Sequence, residues 1–116
     1  MFSYGKQSLD QSDINSVLSV LKSDWLTQGP LVKVFENDLE NYFNSKKACV
    51  VANGSAALHL TGLALEWRPN DIIITSPLTF LATVNCIVHS GATPDFVDIE
   101  KNSYSIDPNL VEKKIK

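Results

Sequence analysis

The stretch VVANGSAALHLTGLAL, Val50–Leu65, decides how the chain is read. A short β-branched run stops at Asn53-Gly54-Ser55, and a long apolar stretch follows. The pattern predicts a strand over Ala48–Ala52 and a buried helix over Ser55–Leu65. The first four N–H groups of a helix lack intrahelical partners and carry the positive end of its dipole. A strand that enters a helix through Gly places those groups at the C-terminal edge of a sheet, where anions bind. Gly54 would let an anion approach the backbone, Ser55 would add a hydroxyl, and Ala56 would leave its own N–H accessible. The arrangement suits a phosphate monoester. A plainer reading stands beside it: Gly54 only makes the turn and Ser55 only caps the helix. The stretch is neither a Walker loop, since the lysine is missing, nor a dinucleotide fingerprint, since GxGxxG is missing.

Downstream the strand–helix alternation continues. Ile72–Thr75 reads as a second buried strand because it does not alternate. Thr79–His89 has helical apolar spacing through Phe80, Val84, Ile87 and Val88. Pro94–Val97 reads as a third strand, flanked by Asp95 and Asp98 as turn and edge residues. A last helix is expected within Ser105–Lys116, with Asp107 as cap and Pro108 in its first position. Helices between strands predict an α/β fold with a mostly parallel sheet covered on both faces. Phe80 follows the second strand on the same sheet edge as Gly54-Ser55, in the first turn of its helix. Its ring is either core or a stacking face for a flat ligand.

Upstream, Ile14, Val17, Leu18 and Leu21 make one face of a helix over Gln11–Lys22, capped by Asp10 or Ser12. Trp25–Pro30 is a loop broken by Gly29-Pro30. A second helix is expected over Leu31–Phe43, with Val32, Phe35, Leu39 and Tyr42 on one face.

Composition narrows the function classes. The chain has 116 residues, 44% hydrophobic, with 13 acidic and 10 basic side chains and a net charge of −3. That length suits one domain. No basic stripe supports nucleic-acid binding. No run approaches the roughly 18 apolar residues that span a bilayer, and the start MFSYGKQSLD lacks a signal-peptide pattern. Cys49 and Cys86 sit in apolar runs and read as small buried hydrophobes of a reducing compartment, hence a cytoplasmic protein. They show no metal-ligand spacing. His59 and His89 read as a packed and a helix-end residue.

The segments WLTQGPLVKVFENDLENYF, VVANGSAALHL, ITSPLTFLATVN and GATPDFVDIE occur in an order and spacing that resembles the start of the DegT/DnrJ/EryC1/StrS sugar aminotransferases. The resemblance runs over essentially the whole chain. It implies the N-terminal portion of a pyridoxal 5'-phosphate (PLP) dependent large domain of the aspartate-aminotransferase type, fold type I. Residues 1–30 would form an N-terminal helix and substrate loop, and residues 31–116 the first part of the PLP-binding domain. Ser55 and Ala56 match positions that hold the cofactor phosphate, beside the Gly54 already read as part of the anion site, and Phe80 matches the ring that stacks on the pyridine. Tyr4 and Leu26, Thr27, Gln28 and Gly29 match segments lining the nucleotide-sugar site. The turn Arg68-Pro69-Asn70-Asp71 keeps only Pro69 and Asp71 of the family's usual Gly-Pro-Gly-Asp-like turn.

The same resemblance implies transfer of an amino group from glutamate to a UDP-linked 4-keto-6-deoxy sugar, in a homodimer, for surface-polysaccharide or pseudaminic-acid-type sugars. The lysine that carries the cofactor and the aspartate that pairs with its pyridine nitrogen are expected beyond Lys116. None of the nine lysines here stands in a matching context. The chain alone is therefore expected to be inactive, with an exposed apolar edge. The alternative from the residues themselves is a small α/β module that grips a phosphorylated ligand without catalysis.

Overall fold

Asp10 sets the start of the first helix by closing a capping box. Its carboxylate accepts from the N–H groups of Ser12 and Asp13 at 2.7 and 3.1 Å, and Asp13 accepts from the Asp10 N–H at 3.0 Å. The Ser12 hydroxyl and these N–H groups hold the Asp10 carboxyl below its ordinary value. This computed structural model describes residues 5–116. Its elements are α1 (Gln11–Leu21), α2 (Pro30–Phe43), α3 (Gly54–Ala64), β1 (Ile72–Thr75), α4 (Leu81–His89), β2 (Thr93–Phe96) and α5 (Pro108–Ile115). Length suggested one domain. The structure instead forms two compact units, one ending at Val50 and one running from Val51 to Lys116.

In the first unit Pro30 opens α2, its fixed φ suited to the first helical position. Asn44, with φ 49°, ends the helix in the left-handed region, where Asn is tolerated. The expected apolar face of α1 is present but uncovered: Ile14, Val17, Leu18 and Leu21 are all exposed. On α2, Val32, Phe35 and Tyr42 are exposed and Leu39 is half-buried. The expected strand over Ala48–Ala52 is absent. Two of its N–H groups are taken by side chains of α2: Val50 donates to Glu36 at 3.2 Å and Ala48 to Glu40 at 3.3 Å. An extended segment becomes a strand only through a ladder, and none forms here. Cys49 is exposed, contrary to its expected burial, whereas Cys86 is buried as expected.

The second unit is built around a βαβ crossover. β1 and β2 pair in parallel, with Ile72 opposite Thr93 and Thr75 opposite Phe96, and α4 connects them. Asp95 lies inside β2, opposite Ile74, and does not flank the strand as expected. The core is Cys86, Ile87 and Ala92, with Trp67 and Ile73 packed against it. β1 is only half-covered, and Ile72 is 63% exposed. A triple-Ile run thus reads as more buried than it is.

The helix expected to be buried, α3, buries only Gly62. That glycine is required: a Cβ there would lie 2.3 Å from Ser90 Oγ and 2.7 Å from Trp67 Cε3. The α3 end folds back through Glu66, at φ 56°, with Trp67 N–H donating to Gly62 C=O and Glu66 N–H to Leu63 C=O. The α4 end does the same through Gly91, at φ 88°, with Ala92 N–H donating to Ile87 C=O. Both are Schellman closures. They bring Trp67 and Ala92 back onto the core. His59 is half-buried and His89 exposed, their ring centroids 6.0 Å apart.

Asp107 caps α5 and Pro108 is its first residue, as expected. Lys114 ties this helix to the sheet, donating to Asp95 Oδ1 at 2.7 Å and to the Phe96 carbonyl at 2.8 Å. The Lys114 contact, then the Phe96 N–H, holds the Asp95 carboxyl below its ordinary value of 3.8. A depressed carboxyl stabilises the folded state fully above its ordinary value, and that contribution is lost as pH falls through the lower, folded value. The protection factors of α5 amides, exchange rates corrected for the intrinsic pH dependence, are therefore expected to be flat from pH 7 to about pH 5 and to fall below about pH 4. In Asp95→Asn this acid limb is expected to disappear. An unchanged limb in that variant would refute the tie.

Candidate functional site

The first turn of α3 carries the candidate anion site. Asn53 is its cap, in extended backbone at φ −164°, and its side-chain oxygen accepts from Ala56 N–H at 2.9 Å. Ala57 N–H donates to the Asn53 carbonyl at 3.2 Å. The N–H of Ala56 is thus occupied, which corrects the expectation that it stands open. Asn, a strong N-cap residue, satisfies it locally. Ser55 is likewise not the cap. What is left open is narrower: the N–H groups of Gly54 and Ser55 and the Ser55 hydroxyl have no partner among the described residues. Gly54 is the first residue of α3 rather than a residue before it, and a Cβ there would meet no heavy atom within 4 Å. Two open N–H donors, a hydroxyl, an unobstructed approach and a helix dipole fit a phosphate group.

Phe80 is the N-cap of α4, with φ −71° and ψ 139°, and not a first-turn residue as expected. The helix starts at Leu81 because residues 77–79 turn. Buried Ser76 accepts from the Leu78 N–H at 3.1 Å and fixes that turn. The Phe80 ring is 78% exposed and so does not serve the core. It sits just past the C-terminal end of β1. The α3 start and Phe80 belong to the same unit, and α3 packs on α4 there.

The expected substrate loop lies in the other unit. Leu26, Gln28 and Gly29, together with Trp25, line a cleft of about 360 Å³. Thr27 is exposed and is not among the lining residues. Gln28 holds φ 51°, a left-handed conformation unusual for a non-glycine. Gly29 has no room for a side chain: a Cβ would lie 2.7 Å from the Trp25 Cβ. Tyr4 lies outside the described residues. Two participants were missed from the sequence. Asn53 was legible from its cap preference, and Trp25 gave no signal beyond its place in the loop.

The chain matches the profile of the DegT/DnrJ/EryC1/StrS aminotransferase family over residues 7–116. It belongs to that family. It is 41% identical over 115 residues to the UDP-4-amino-4,6-dideoxy-N-acetyl-beta-L-altrosamine transaminase of Campylobacter jejuni subsp. jejuni, covering 99% of this chain and 30% of that protein. It is 40% identical over 112 residues to the spore coat polysaccharide biosynthesis protein SpsC of Bacillus subtilis, covering 97% and 29%. Among solved structures, the E. coli GDP-4-keto-6-deoxy-D-mannose-3-dehydratase with bound hydrated PLP superposes with a TM-score of 0.85. The two are 28% identical, over 96% of this chain and 30% of that one. The fold is thus that of the PLP-dependent type I sugar aminotransferases. The chain spans less than a third of the length of the relatives it matches.

Proposed function

We propose that this chain is the N-terminal portion of a PLP-dependent nucleotide-sugar aminotransferase, and that its part in the reaction is to seat the cofactor. One observation carries this reading: the open N–H pair and hydroxyl at Gly54-Ser55, on a helix start with clear approach. When bound, PLP supplies an electron sink for moving an amino group between carbons. The residues of this chain do the holding. Gly54 and Ser55 donate to the phosphate, and the α3 dipole favours its charge. Asn53 keeps Ala56 N–H out of that set, so the phosphate is held by two backbone donors and one hydroxyl. The exposed Phe80 ring offers a flat apolar face to the pyridine. The lysine and aspartate of the family's covalent chemistry are not among the residues assigned here.

The remaining assignments of this reading rest on the family resemblance alone. Residues 1–30 form the N-terminal helix and substrate loop, and residues 31–116 begin the cofactor domain. Tyr4 and Leu26–Gly29 contact a UDP-linked 4-keto-6-deoxy sugar, and Trp25, which lines the cleft with Leu26, Gln28 and Gly29, joins the loop residues in this. Glutamate gives the amine, the full-length protein is a homodimer, and it works in the cytoplasm on surface polysaccharide or related sugars. Among the described residues no helix is long and apolar enough to cross a membrane.

Calorimetric titration of the chain with PLP and with pyridoxal tests the phosphate role. PLP is expected to bind and pyridoxal, which lacks the phosphate, to bind at least about tenfold more weakly. Ser55→Ala is expected to weaken PLP binding by about tenfold, the loss of one hydrogen bond to a charged group. Equal binding of the two ligands would overturn the reading.

A further inference from the structure

His59 on α3 and His89 on α4 face each other where these two helices pack, their ring centroids 6.0 Å apart and their planes inclined by 54°. The backbone sets this spacing. His59 and Gly62 are three residues apart and so share a face of α3. Gly62 lies tight against α4, since a Cβ on it would stand 2.3 Å from Ser90 Oγ. Ser90 is the C-cap of α4 and His89 its last residue. One turn before the Gly62–Ser90 contact, the His59 ring therefore meets the His89 ring. Neither imidazole makes a hydrogen bond or an ion pair with another described residue. His59 is half-buried and His89 exposed. Two rings on separate elements thus converge with their nitrogens uncommitted. Neutral imidazole is a ligand for zinc and its neighbours in the first transition row. With Zn–N at about 2.05 Å, two imidazoles on one tetrahedral ion stand about 5.2 Å apart, centre to centre. A closure of about 0.8 Å brings the pair to that spacing, and the exposed His89 ring is free to turn toward His59.

We propose that His59 and His89 form a two-histidine site for a divalent transition-metal ion of the zinc class. The ion takes one nitrogen from each ring and completes its coordination with water. No group of three or more His, Cys, Asp or Glu side chains could hold a metal among the described residues, so the protein supplies two ligands and no more. Cys86, one turn before His89, does not join them: its buried thiol donates to the Thr83 carbonyl at 3.0 Å. The ion cross-links α3 to α4 and, by binding the folded state, stabilises the Val51–Lys116 unit. The site is independent of the phosphate role proposed for Gly54-Ser55.

The test is titration with zinc chloride, read at the imidazole ring protons by NMR. The chain carries Cys49→Ser throughout, which removes the exposed competing thiol. Both rings are expected to shift together and to saturate at one ion per chain. His89→Gln is expected to bind zinc at least about tenfold more weakly, because two ligands on one rigid frame hold an ion far better than either alone. His59→Gln is expected to lose as much. Should that half-buried replacement fail to fold, the exposed His89→Gln still decides the matter. Urea unfolding followed by tryptophan fluorescence gives a second readout. Saturating zinc is expected to raise the unfolding midpoint of the Cys49→Ser chain and to leave that of its His89→Gln derivative unchanged. A shift at one ring only, equal zinc affinity with and without His89, or a midpoint that zinc does not move would each overturn the site.

Discussion

Gly54→Asp is expected to abolish phosphate binding while leaving α3 intact. The site has room, since a Cβ at Gly54 meets nothing within 4 Å. An acidic residue in the first turn of a helix is favoured by the dipole, so helicity should hold or rise. The same carboxylate would stand where the phosphate must approach. Two like charges about 4 Å apart repel by about 4 kcal/mol near a protein surface, and a loss of about 3 kcal/mol is already more than a hundredfold in affinity. Titration with PLP and circular dichroism on the same sample check both halves. Retained binding in Gly54→Asp would show that the phosphate sits elsewhere. A neutral control, Gly54→Asn, is expected to bind far better than the Asp variant.

The second large effect falls on the fold. Gly62→Val is expected to destabilise the Val51–Lys116 unit by about 3 kcal/mol or more, in the upper range for overpacking a tight contact. Its Cβ would meet Ser90 Oγ at 2.3 Å and the Trp67 ring at 2.7 Å. The ring cannot yield easily, because Trp67 is held by its N–H bond to the Gly62 carbonyl and packs on the Cys86–Ile87–Ala92 core. Gly62→Ala meets the same two contacts but gains helix propensity of up to about 1 kcal/mol, so its loss should be smaller. Urea unfolding followed by tryptophan fluorescence measures both. A Gly62→Val chain as stable as the native one would refute the close packing of α3 on Trp67 and Ser90.

Much of this architecture could be read from residue order. The helices α1, α2, α4 and α5 follow from apolar spacing and from Asp10, Pro30 and Asp107 as start signals. The parallel pairing of β1 with β2 follows from an intervening helix of the right length. Burial was less legible. Ile72–Thr75 and Leu58–Leu65 are as apolar as buried elements, yet the strand is only half-buried, with Ile72 exposed, and most side chains of Leu58–Leu65 are exposed. Hydrophobicity records what an element can bury against, not how much of that partner is present. The Ala48–Ala52 segment has strand composition and no ladder, because strand pairing depends on a second segment that composition does not name. Instead, two carboxylates from α2 take its N–H groups, a long-range pairing that no local pattern announces.

The candidate site shows the same division. Gly54 and Ser55 were visible as a donor-rich helix start. The exclusion of Ala56 N–H was not anticipated, because it depends on the Asn53 side chain turning inward onto the helix. Phe80 reads as a first-turn residue two positions too deep, since the Ser76 hydroxyl fixes a turn that delays the helix start from Thr79 to Leu81. The Trp25–Gly29 contact was invisible for a different reason. It needs the left-handed backbone at Gln28, which sequence alone does not favour.

The most direct measurement is a crystal structure of the chain with PLP bound. The expected result is a phosphate at the α3 start, with oxygens about 3 Å from the backbone nitrogens of Gly54 and Ser55 and from Ser55 Oγ, Ala56 N–H still bonded to Asn53, and the pyridine against the Phe80 ring. A phosphate bound away from Gly54-Ser55 would contradict the assignment.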